Sequence, residues 1–178
     1  NGTYATGAFK NDSTRNAIES VVWNLGGTAN YTTSSNGLAS HWYGYERGTT
    51  VYTDRPTTWT GKIALMYPSD YGYATAGGTT TNRESCLAKE LYNWDGSGVS
   101  DCKNNDYLFK SAYTQWTLAP GSSRSNLAFI VGAGGFVTYC SDVGRAYGVR
   151  PTAYLKSSIS LSSVGDGSST SPYQLKVG

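Results

Sequence analysis

The sequence predicts an α+β fold, and three observations lead there. Two stretches carry apolar residues at helical spacing, several short apolar runs have the length of strands, and Gly, Pro, Asn and Ser punctuate the intervals. No internal repeat is apparent and no linker splits the chain, so a single domain over residues 1–178 is expected.

The first helix is expected to start at a cap on Asp12 or Ser13 and to present Ala17, Ile18, Val21, Val22 and Leu25 on one face. Gly26-Gly27 then supplies the left-handed residue that ends a helix. Residues 28–58 read as loop, with Trp42, Tyr43 and Tyr45 packing inward. Lys62 to Tyr67 reads as a buried strand stopped by Pro68. A second helix is expected from Arg83 to Tyr92, with Cys86, Leu87 and Leu91 on one side. Trp94 to Asp106 is polar and turn-rich, and Tyr113 to Leu118 reads as a strand. Leu127–Val131 and Gly135–Tyr139 are expected to form a hairpin about Gly132 to Gly134. Val149 to Lys156 is the next strand, placed near an edge or bend by Pro151. Tyr173 to Val177 closes the chain as a strand.

Bulk properties narrow the function classes. A net charge of +2, a charged fraction of 15% and no run of basic residues argue against a nucleic-acid partner, which calls for a concentrated basic stripe. No apolar run approaches the ~20 residues that span a bilayer, so no membrane contact by this chain is expected. The chain begins at Asn1 without Met or a leader and reads as a processed or truncated piece. Fifteen Tyr among abundant Ser, Thr, Gly and Asn is the composition of secreted, β-rich binding proteins. Tyr and Trp bring large contact area at low entropic cost, and Ser, Gly and Asn bring adaptable hydrogen bonds.

Cys86 and Cys102 flank an expected short helix and a Gly/Ser turn, a spacing that suits a local disulfide in an exported protein. Such a loop of ~15 residues is worth about 3 kcal/mol when unstrained. Cys140 is left as an expected free thiol. With no Cys-x-x-Cys and only one His, His41, a zinc site is not expected.

Several ordered motifs carry a family resemblance. They are Trp116-x-Leu118-x-Pro120, Gly148-Val149-Arg150-Pro151 followed by Ala153-Tyr154-Leu155-Lys156, and Gly165-Asp166-Gly167-Ser168-Ser169 followed by Ser171-Pro172-Tyr173. This set resembles the C-type-lectin-like fold, in its formylglycine-generating-enzyme-like branch found in bacterial surface proteins. Upstream, the segment from Trp59 to Gly72 is similar to exported prepilin-type proteins of gut bacteria that carry such a head. The resemblance covers roughly residues 59–178. It implies short antiparallel sheets with long loops over one face, an extracellular, cell-surface or pilus location, and other pilin subunits as partners. It also implies that a signal-anchor helix precedes Asn1. In a bacterial protein the sequons at Asn1, Asn11 and Asn30 are incidental.

The reactive residue types form no catalytic pattern. The formylglycine-generating enzymes that the chain resembles use a cysteine pair with copper, and Cys140 has no partner Cys near it in sequence. A Ser-His-Asp system would depend on His41, which lies in an aromatic stretch with no motif around any Ser. Glu84, Glu90, Asp95, Asp101 and Asp106 are scattered, and no glycosidase pair stands out. The expectation is therefore a chain that is not an enzyme and holds no cofactor. Asp95, Ser97 and Asp101 share a Gly-containing loop whose oxygens suit a structural calcium, although no Glu stands at the twelfth position.

Between the Trp116 and Gly148 blocks, residues 121–147 are small, aromatic or amide-bearing and follow no period. Loops on a rigid frame are the usual home of binding function. The candidate ligand-binding residues are the aromatic Phe129, Phe136, Tyr139 and Tyr147. Beside them stand Arg124, Asn126, Thr138, Ser141, Asp142 and Arg145, since aromatic anchors next to Arg and small polar groups make interface hot spots. Strand alternation sends Ala128, Ile130 or Val131, and Val137 to the core, while Phe129 and Phe136 fit either side. Trp116 is expected in the core and Arg150 as a buried, paired residue of the frame. In resembling proteins this segment is a target of diversity-generating retroelements. The expected function is a non-catalytic, adhesin-like binding head for a protein or glycan. The alternatives are a structural subunit of a pilus or surface layer, a phage receptor-binding domain, and an oxidase that brings a second cysteine to Cys140.

Overall fold

The computed structural model describes residues 12–140, 142–168 and 170–177, with backbone alone at Cys140 and Val177. The architecture is α+β. The first half runs α1 (Asp12–Ala17), β1 (Val21–Asn24), α2 (Ala39–Glu46), β2 (Thr58–Gly61), β3 (Ile63–Leu65), α3 (Pro68–Ala74) and α4 (Arg83–Leu87). A 3-10 turn (Leu91–Asn93) and α5 (Ser100–Asn104) follow. The second half holds β4 (Gln115–Pro120), β5 (Ala128–Val131), β6 (Val137–Cys140), β7 (Pro151–Ala153), β8 (Ile159–Leu161) and β9 (Leu175–Val177). Strands β4-β5-β6 form an antiparallel sheet, and the pairs β1-β2, β3-β7 and β8-β9 make two-stranded sheets.

The chain gathers into two compact units, each discontinuous in sequence. Of the described residues, one unit holds those up to Val22, Thr60–Ala64 and those from Thr152 onward; the other holds those of Trp23–Trp59 and Leu65–Pro151. In the first, Ile18 bridges Leu155, and Lys156 N donates to Ala17 O at 2.9 Å. There β8 and β9 pair with Ile159 opposite Val177 and Leu161 opposite Leu175.

The expected helix over Asp12 to Leu25 is corrected. It stops at Ala17, because Ile18 is taken by the Leu155 bridge and Val21–Asn24 is a strand. Val21 and Val22 are β-branched and lose less rotamer freedom extended than helical; Val22 is 62% exposed, so the supposed helical face is no face. Gly26-Gly27 serves close approach instead of a helix end. A Cβ on Gly27 would stand 1.9 Å from Pro120 O, and one on Gly26 2.2 Å from Tyr45 O.

The second unit carries an aromatic core. Residues 28–58, expected as loop, contain α2, which buries Trp42, half-buries Tyr45 and turns Tyr43 outward. His41 serves the start of this helix: its Nδ1 accepts from Leu38 N at 3.3 Å. The strand expected over Lys62 to Tyr67 is confined to Ile63–Leu65, so it ends before Pro68, which instead opens α3 at a position where its missing N–H costs nothing. The expected Arg83–Tyr92 helix ends at Leu87 and resumes as the 3-10 turn. The expected strand over Val149 to Lys156 is confined to Pro151–Ala153. The Cys86–Cys102 disulfide joins α4 to α5, and both residues lie fully buried in the core. Around it pack Trp42, Tyr71, Leu91, Trp94, Phe129, Val131 and Val137. Phe129 sits edge-on to Trp42 at 4.5 Å and to Tyr31 at 5.0 Å between ring centres.

Candidate functional site

The hairpin is the base of the segment expected to bind. Its register sets Phe129 opposite Tyr139, Ile130 opposite Thr138 and Val131 opposite Val137. Gly135 makes the turn at φ +89° and accepts from the Tyr71 hydroxyl at 2.7 Å, tying the hairpin to α3. Burial drives that hydroxyl's pKa upward, so it remains a donor.

The candidate residues do not share one face. Phe129 is fully buried in the aromatic core, where no ligand reaches it; its assignment as a contact residue is corrected to core. Phe136 is half-buried against its own turn, so close that a Cβ on Gly132 or Gly134 would stand 3.0 Å from its ring. Tyr139, 43% exposed, packs on Tyr31 at 5.6 Å, and Tyr92, 38% exposed, packs on the same ring at 5.7 Å. The Tyr31 hydroxyl hydrogen-bonds the Thr138 hydroxyl at 3.1 Å, and burial raises its pKa. Thr138 and Tyr139 thus belong to a tyrosine cluster that continues to Tyr92, a residue with no signal in the local sequence.

The other candidates gather elsewhere. Arg124, Asn126, Asp142 and Arg145 are exposed. Asp142 Oδ1 accepts from Gly144 N at 2.8 Å and shapes the turn that carries Val143. Tyr147 lies on Trp116, ring centres 5.1 Å apart. Ser141 lies outside the described residues, and so does the Cys140 side chain.

Strand β4 explains where a ligand has room. It buries Gln115, Thr117 and Ala119 and leaves Trp116, Leu118 and Pro120 half-exposed, the reverse of the core role expected for Trp116. The inward Thr117 is satisfied, donating to Phe129 O at 2.9 Å. The outward apolar face forms part of a groove of about 360 Å³, lined by Leu25, Tyr52, Arg55, Pro56, Leu118, Pro120, Gly121, Arg124, Ser125, Leu127, Ala128 and Val143. A smaller hollow of about 240 Å³ shares Ala128 and Val143 with it and reaches Leu65 and Trp116. Arg55 is held in place by donating from Nη2 to Ser125 O at 3.2 Å. The turn before it places Asp54 at φ +63°, a left-handed conformation that Asp tolerates better than most side chains. Of the expected site residues the groove takes Arg124, and it adds Tyr52, Arg55 and Pro56 from a loop that carried no functional signal.

The frame beneath is tied by Arg150, half-buried as Nε donates to Gln115 Oε1 and Nη2 to Leu108 O. Beside it, Asp106 accepts from Leu108 N at 2.7 Å, and burial pushes its carboxyl up to about 7. The calcium expectation is not supported at Asp101. Its Oδ2 is spent on Thr80 N, Thr80 Oγ1 and Thr81 N, which hold its pKa low. Among the described residues no group of three His, Cys, Asp or Glu is placed to hold a metal ion, and no helix is long and apolar enough to cross a membrane. No family model matches the chain, and neither a curated protein nor a solved structure does.

Proposed function

We propose that this chain is a non-catalytic ligand-binding domain, the adhesin-like head of a bacterial surface or pilus protein built on a C-type-lectin-like frame. The observation that carries the reading is the groove walled by Arg124, Ser125, Leu127 and Val143 of the loop-rich segment and floored by β4. Apolar, concave surface with a few convergent polar groups is the ordinary form of a binding site. Two features weigh against the catalytic readings, a cysteine-pair oxidase and a Ser-His-Asp hydrolase. Cys86 and Cys102 are spent on a buried disulfide, and a disulfide suits an exported protein. His41 is engaged at a helix start. The proposed ligand is a protein or glycan surface group, and the proposed location is extracellular.

A binding screen against glycans and surface proteins tests this, using the intact chain with Arg124→Ala, Val143→Ser and Tyr139→Ala. Saturable binding that the groove variants lose, with the circular dichroism spectrum kept, is the expected result. Binding indifferent to all three changes, or none at all, would return the chain to the structural-subunit reading.

A further inference from the structure

The groove joins two kinds of surface. Its floor is hydrocarbon, from Leu25, Leu118, Pro120, Leu127 and Val143. Its charge has one sign: Arg55 and Arg124 line it, and no Asp or Glu does. Arg55 is aimed by its bond to Ser125 O, while Arg124 is exposed and enters neither of the ion pairs among the described residues. Two cations on one hollow repel each other, and an anion bound between them removes that cost. A guanidinium fork also matches a carboxylate with two parallel hydrogen bonds.

Size selects among anionic partners. Such a hollow is filled by one small group, free or displayed on a protein or glycan surface, and not by a whole protein face of roughly 800 Å². The volume of about 360 Å³ has room for about a dozen water-sized groups at ~30 Å³ each. We infer that the groove binds a small apolar carboxylate, an acyl or aryl acid of about ten to a dozen heavy atoms. The tail covers Leu118, Leu127 and Val143 while the head meets Arg124 and Arg55. This rests on the ligand-binding reading and names the ligand class for its groove.

The test is an amide-shift titration of the intact chain by NMR, with octanoate as probe and 1-octanol as its neutral match. Saturable shifts at Leu118, Leu127 and Val143 are expected, with octanol about tenfold weaker, as loss of a charge-assisted bond implies. Arg124→Ala, at an exposed position that leaves the fold intact, is expected to weaken octanoate about tenfold and octanol little. Equal affinity for acid and alcohol, no effect of Arg124→Ala, or no shift at groove amides overturns the inference. If octanoate fails while the screen finds a glycan or protein ligand, the binding reading stands and the small-acid assignment falls. If both fail, both fall.

Discussion

Glu46 and Ser69 are joined through both polar groups of the serine backbone and side chain: Ser69 N donates to Glu46 Oε1 at 2.8 Å, and Ser69 Oγ donates to Oε2 at 2.5 Å. The pair couples the last residue of α2 to the first turn of α3, where a carboxylate meets unpaired N–H groups. Both residues are buried. Arg47 Nη1, 3.3 Å from Oε2, adds a partly exposed cation that lies 3.5 Å over the Tyr43 ring.

Burial outweighs those partners and pushes the Glu46 carboxyl up to about 7, as it does for Asp106. A raised carboxyl pKa means that the folded chain holds a proton that the unfolded chain releases earlier. The resulting stability is complete below about pH 4.5 and is lost as pH rises to about 7. Glu46→Gln, a neutral match for the protonated acid, is expected to remove about 3 kcal/mol of that decline and to leave the Asp106 part. Urea unfolding of both forms at pH 5 and pH 8 measures it; equal declines would refute the assignment. Asp101, with its pKa held low by Thr80 and Thr81, acts in the opposite sense below pH 4.

The disulfide spans a loop of sixteen positions between α4 and α5 and lies in the core. The double variant Cys86→Ala/Cys102→Ala is expected to lose at least about 3 kcal/mol, because loop closure and core packing are lost together. Native protein is expected to resist dithiothreitol until urea opens the core. Rapid reduction of the native chain, followed by thiol labelling of Cys86 and Cys102, would contradict this burial.

Phe129 and Tyr139 stand opposite each other in the hairpin, yet their fates differ. Phe129→Ala empties the space between Trp42 and Tyr31 and is expected to cost about 3–5 kcal/mol. Tyr139→Ala removes a half-exposed ring and is expected to cost about 1 kcal/mol or less. Thermal melting of the two variants compares them. A Phe129→Ala protein that melts with the wild type would mean that this ring is not core.

Where the structure follows the sequence reading, the signal is local. The α+β class, the hairpin ending in Val137–Cys140, the strand at Gln115–Pro120 and the Cys86–Cys102 bridge each depend on neighbours in the chain. Where it departs, a distant partner outweighs a local preference. Val21–Asn24 carries helical apolar spacing yet pairs as a strand with Thr58–Gly61. The site divides in the same way. Arg124 was legible because Arg beside small polar residues stands out in a loop. Tyr92 and Arg55 were not, since nothing beside them in sequence marks them, and Leu118 was marked only as part of the Trp116-x-Leu118-x-Pro120 frame.

By itself, then, the sequence determined the class of fold, the disulfide, and the loop-rich stretch after β4 as the place to look. Tertiary structure alone decided that Phe129 faces inward, that Trp116, Leu118 and Pro120 face outward, and that Arg55 meets Ser125 across 70 positions. The reason is one of magnitude. Local propensities differ by roughly 1 kcal/mol or less per residue, whereas burying one large side chain is worth about 1.5–3 kcal/mol. The face that a strand turns to solvent is therefore settled by what packs against it.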